Sequence, residues 1–177
     1  MTEVDFTKNW WLSCLANPEK LKLWLQKLQR TELGGYLDHH NFLADHEADP
    51  KIRQTLFNIA DDELKHSGLL VDMFQERQIA VVPNGVQSTY WEEILENTND
   101  VKLYCAANYF GEALAAFRFQ VIVGMDETPS DIRGVINKLL PDEVFHREAL
   151  QRLAGPDALS VMKGIHDSAL AKLLGRS

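Results

Sequence analysis

A chain of 177 residues, 45% hydrophobic and 25% charged with no low-complexity tract, can bury a full core, which sets aside disordered and fibrous classes. A formal net charge of −8 argues against a nucleic-acid backbone as partner, and no apolar run reaches the roughly 18–20 residues of a membrane span. Cys14 and Cys105 make neither a disulfide framework nor a C-x-x-C pair, and the acidic start MTEVDFTKNWWLSC lacks the basic and apolar regions of a signal peptide, so a soluble, cytoplasmic protein is expected.

Helical patterning dominates from the start. Residues 3–15 read as a short leading helix, which the Trp10-Trp11 pair and Trp24 would staple to the rest. Asn17-Pro18 is an N-cap followed by proline at the first helical position. The long helix it opens carries Leu21, Trp24, Leu25, Leu28, Glu32, Tyr36 and His39 at spacings of three and four. Asp49-Pro50 opens a second helix running to about Arg77, and VVPNG at 81–85 breaks it. Thr89-x-x-Glu92 predicts a capping box for a short helix inside a long crossover. Asn99 or Asp100 opens a third long helix, and Thr128-Pro129-Ser130 caps a fourth that ends near Gly155-Pro156. Residues 157–174 suggest a short final helix. The expected class is all-α, one domain over 1–177 with its core at about 18–155, and a long crossover between the second and third long helices.

Displacing the chain by 80 residues lays KIRQTLFNIADDELKHSGLL (51–70) on DIRGVINKLLPDEVFHREAL (131–150). Ile52/Ile132, Arg53/Arg133, Asp62/Asp142, Glu63/Glu143, His66/His146 and Leu70/Leu150 are identical, and Glu32 falls on Glu112. The duplicated segments are 31–70 and 111–150, each giving one Glu and, 31 residues later, a Glu-x-x-His. A pseudo-twofold four-helix bundle follows, with Glu32, Glu63, His66, Glu112, Glu143 and His146 meeting at its centre. Each shares a helical stripe with apolar residues, where an unpaired carboxylate is costly. Two divalent ions balance four carboxylates, and a carboxylate-rich set with one imidazole per ion suits iron, or manganese in place of one or both.

One Glu from each of two helices plus Glu-x-x-His from each of the other two resembles the ferritin-like non-haem di-iron carboxylate superfamily, over residues 18–155. The resemblance implies two iron ions per chain held by those six residues. Asp62 and Asp142, directly before each Glu-x-x-His, resemble the aspartates that orient ligand histidines in the oxygen-activating members. Lys65 and Phe145 stand where those enzymes usually carry Arg. The extra third-helix Glu and cysteine-rich tail of rubrerythrins are absent, iron-storage ferritins share the six ligands, and the compact di-iron hydroxylases of quinone biosynthesis are similar in size and plan.

Tyr36 and Tyr109, one turn from Glu32 and Glu112, are candidates to hydrogen-bond ligand carboxylates, with core packing an equal alternative. Pro141 is expected to kink the fourth helix, and Gly34-Gly35 and Gly111 to leave room for close packing or for substrate. His40, His46 and His166, without a Glu three residues earlier, are expected at the surface. The functional expectation is a di-iron oxidase or hydroxylase that uses O2 on a small organic substrate, with electrons from a reductase and a homodimer as an option. The alternatives are a ferroxidase that stores iron and a peroxidase that consumes peroxide.

Overall fold

The computed structural model describes residues 2–82, 89–96, 98 and 100–175. Every regular element among them is a helix: α1 (Glu3–Leu15), α2 (Pro18–Asp45), α3 (Pro50–Arg77), α4 (Thr89–Leu95), α5 (Val101–Val123) and α6 (Ser130–Leu173). The boundaries follow the chemistry of their ends. Thr2 and Asp5 form a reciprocal capping box on α1. The Asn17, Asp49 and Asp100 side chains accept first-turn N–H groups of α2, α3 and α5. Gln78 closes α3 in the left-handed region at φ 57°. The VVPNG break lies partly, and the capping side chain of Thr89 wholly, outside the described residues.

One expectation needs correction. Thr128 does not cap α6, whose N-cap is Pro129 and has no side-chain cap bond. Thr128 is buried instead, donating to the Ile122 carbonyl and accepting from Trp11 Nε1 at 2.8 Å. Pro141 is carried within helical dihedrals. The one residue of α6 outside them is Gly155 (φ 74°, ψ 168°), just before Pro156, where a fourth and a final helix were expected to meet.

Neighbour relations place the long helices. α2 packs on α3 and α5 on α6, the two hairpins meet along α3 and α6, and α2 and α5 do not pack together. α1 lies against α2 and α5, while α4 lies against α5 and α6. Arg53 and Arg133, equivalent in the repeat, do equivalent work: Arg53 donates to the Leu43 and His46 carbonyls, and Arg133 to those of Val123, Met125 and Thr128. Each guanidinium ties the end of the preceding long helix to the start of its own.

The apolar core is in two clusters. One gathers Phe42, Leu43, Leu56, Ile59, Tyr104, Cys105 and Leu150; the other gathers Trp11, Leu25, Leu70, Phe74, Phe119, Ile122, Ile136 and Leu139. Every long helix contributes to both, with its acidic motif in between. The order in which each helix visits them gives its direction: α2 and α6 run from the second cluster to the first, and α3 and α5 run the other way. α2 and α5 are therefore antiparallel. At the second end, Trp11 and Trp24 meet edge to face at 4.9 Å, and Trp10 and Trp24 at 5.7 Å, so α1 is stapled there. No described helix is long and apolar enough to cross a membrane.

Candidate metal centre

The six residues of the repeated motif converge between the two apolar clusters. Glu32, Glu63, Glu112 and Glu143 are 2–8% exposed, and His66 and His146 are fully buried. Their side-chain atoms form two overlapping groups. Glu32, Glu63, His66 and Glu143 make one, Glu63, Glu112 and His146 the other, and within each the donor atoms lie within 4.8 Å of one another. Glu63 belongs to both. A metal ion can be held by either group.

Both imidazoles turn the same way. His66 Nδ1 faces the carboxylates, 3.2 Å from Glu32 and 3.5 Å from Glu143, and His146 Nδ1 lies 3.2 Å from Glu63. Their Nε2 atoms face outward and crosswise. His66, on α3, pairs with Asp142 of α6 at 3.1 Å; His146, on α6, pairs with Asp62 of α3 at 3.3 Å. A proton held on Nε2 by an aspartate leaves the Nδ1 lone pair for a cation. Each aspartate pairs with a histidine across the interface between hairpins rather than within its own helix.

Charge is stored in this cluster at a cost. Burial, together with neighbouring carboxylates, raises the Glu32 and Glu143 pKa values well above the ordinary carboxylate range, and burial raises that of Glu112. Burial opposes ionisation of Glu63 as well, but hydrogen bonds from His146 and His66 outweigh it and lower its pKa. Burial likewise opposes protonation of the imidazoles, and the surrounding carboxylates overcome it, raising His66 to about 10 and His146 to about 9. Even so, Glu63 Oε1, Glu143 Oε1 and His146 Nδ1 are buried without a well-formed hydrogen bond: Glu63 Oε1 and His146 Nδ1 have only each other at 3.2 Å, and Glu143 Oε1 only His66 Nδ1 at 3.5 Å. Such atoms cost about 1–3 kcal/mol each. Poorly satisfied atoms in both donor groups fit cations in a way that hydrogen bonding alone does not.

Comparison with known protein families, curated proteins and solved structures returns no match.

Several neighbours carry signals that spacing alone does not. Lys65, in the position noted for departing from Arg, reaches Asp142 at 3.1 Å and Asp62 at 3.6 Å, bridging the two outer aspartates. Phe145, its counterpart, is exposed. Tyr36 packs its ring edge-on to His40 and Tyr109 packs on Phe110, and neither hydroxyl reaches a cluster carboxylate. The packing alternative holds for both tyrosines. Tyr104 was not anticipated: its hydroxyl meets buried His39 at 2.8 Å, and burial lowers the His39 pKa to about 4. His40, His46 and His166 are half-buried rather than exposed, and His166 Nδ1 pairs with the Tyr90 hydroxyl at 2.8 Å.

The glycines divide by function. A Cβ on Gly35 would sit 3.1 Å from Glu63 Cγ, so this glycine lets a cluster carboxylate lie against α2. Gly34 faces open space. A Cβ on Gly111 would stand 1.9 Å from the Trp91 ring, so α4 lays its indole directly on the backbone beside Glu112. Where α2 and α5 fail to pack, a cavity of about 720 Å³ opens, reaching Glu32, Glu63, Glu112 and Glu143 at its floor. That volume lies within the roughly 300–1,000 Å³ of small-molecule pockets.

Proposed function

We propose that the four long helices form a ferritin-like four-helix bundle around a di-iron centre, and that the protein is a di-iron oxidoreductase using O2 to oxidise or hydroxylate a small organic substrate. The observation that carries this reading is the convergence of six buried carboxylate and imidazole side chains into two overlapping donor groups, whose two imidazoles are held by aspartates from the opposite hairpin.

Glu32, Glu63, His66, Glu112, Glu143 and His146 would hold the ions, and Glu63 belongs to both donor groups. Iron bound there supplies the redox chemistry by which O2 accepts electrons. The protein's own work is different. Asp62 and Asp142 keep the protons of His146 and His66 on Nε2. The two apolar clusters exclude water from above and below, and the gap between α2 and α5 admits the substrate. A hydroxylation consumes RH, O2, two electrons and two protons and yields ROH and water, so a reductase must deliver the electron pair. The cavity favours an organic substrate over simple iron deposition, because storage has no use for a large, mainly apolar chamber beside the ligands.

Loading with Fe(II) under anaerobic conditions should give two ions per chain, and admitting air should consume O2 only in the loaded protein. Metal analysis returning well under one ion per chain would overturn the reading.

A further inference from the structure

The cavity above the carboxylates is electrically lopsided. With its four glutamates neutralised by metal, its remaining charged lining is Lys20, Lys27, Arg30 and Arg118 against Asp38. Because α2 and α5 are antiparallel, residues before Glu32 on α2 and after Glu112 on α5 share one end. All four cations are therefore at the end of the second apolar cluster, and Asp38 is at the other. Lys20 and Lys27 are exposed at the rim, whereas Arg118 is half-buried and has no carboxylate partner among the described residues. Its guanidinium is held over the Trp10 ring, 5.9 Å from the centroid, and burial lowers its pKa. An arginine that sits in an apolar chamber without an anion is a donor array awaiting one.

We infer that the cavity binds an amphipathic organic anion, its carboxylate on Arg118 and its apolar body directed at the metal centre. Arg118 lies six residues beyond Glu112, an axial rise of about 9 Å, so the anionic group stays clear of the ligand set while the distal carbons reach it. Leu28, Ala115 and Phe119 line the intervening wall, which suits an alkyl or aryl body and offers few hydrogen bonds to a polar one. Steric selection comes from Trp91, seated on Gly111. This assignment rests on the di-iron reading for what happens to the substrate and for neutralising the four glutamates beneath it.

The test uses the full chain loaded with Mn(II), with octanoate and octanol as probes and quenching of the cavity tryptophans Trp10, Trp24 and Trp91 as the readout. Octanoate should bind at least tenfold more tightly than octanol, and Arg118→Gln should remove that preference, while Arg118→Lys should keep part of it. Metal content, measured separately, should be the same in all three proteins. Equal binding of octanoate and octanol by the unmodified chain, or a preference that survives Arg118→Gln in a protein with an unchanged melting temperature, would overturn the assignment. Two ions per chain with no octanoate preference sinks this inference and leaves the di-iron reading standing. Octanoate selectivity in a chain that takes up no metal sinks the di-iron reading and leaves the anion site standing.

Discussion

Replacing Glu143 with Leu separates what the carboxylate costs from what it does. Glu143 is 2% exposed, its Oε1 has no well-formed hydrogen bond, and burial together with Glu112 holds its pKa well above the ordinary range. In the metal-free chain an apolar side chain of similar volume removes an unsatisfied acceptor worth about 1–3 kcal/mol. For a chain of this size, roughly 2–4 °C of melting temperature accompanies each kcal/mol, so Glu143→Leu should melt roughly 2–12 °C above the unmodified protein in EDTA. Metal reverses the order. At a hundredfold excess over its dissociation constant, Mn(II) adds about 2.7 kcal/mol to a chain that binds it and nothing to one that does not. Scanning calorimetry of both proteins, with EDTA and with Mn(II), reads the four melting temperatures directly. A variant that melts below the unmodified chain in EDTA would refute the reasoning, because Glu143 would then be a satisfied core residue. So would an unmodified chain whose melting temperature ignores metal.

Three other outcomes follow from the same site. Asp62→Ala and Asp142→Ala should each weaken metal retention about 10–100-fold, read by chelator competition, with helical circular dichroism unchanged. The metal-free chain should lose stability as pH rises from about 7 to 10. The His66 and His146 pKa values are raised to about 10 and 9, so their contribution is complete below the unfolded imidazole range near 6.5 and disappears as pH passes the folded values. The raised glutamates act in the same direction, and the metal-loaded chain should stay nearly flat; melts in EDTA across that range test the sign. Gly111→Ala should drive the Trp91 ring off α5 and cost about 1–3 kcal/mol through overpacking, visible as a lower melting temperature and a shifted tryptophan emission.

Helix ends and the donor set were legible in the sequence because both are local or periodic. Asn17, Asp49 and Asp100 announce their helices by cap chemistry, and the 80-residue repeat brings six donors into register before any packing is known. What stayed hidden depends on directions in space. Spacing put Tyr36 and Tyr109 near the carboxylates, but ring orientation took them to His40 and Phe110. Thr128 looks like a cap, but the Trp11 indole claims its hydroxyl from 117 residues away. Arg118 carries no motif at all. Its meaning appears only when α2 and α5 are seen to stand apart, which follows from how the hairpins seat and from the Trp91 contact at Gly111.

The crossed aspartate–histidine pairs have a consequence for how such a chain can change over time. Residue i of one half serves residue j of the other, and the reverse holds, which is the contact pattern of two identical subunits related by a twofold axis, here sealed inside one polypeptide. Neither half can lose its aspartate without loosening a histidine that the other half supplies, so the two copies are held in step at the core. Away from that mutual dependence they are free to drift. Asp38 and Arg118 occupy equivalent positions in the two copies and carry opposite charge, at opposite ends of one chamber. The two halves keep their symmetry at the donor cluster and lose it in the charges of the chamber beside it.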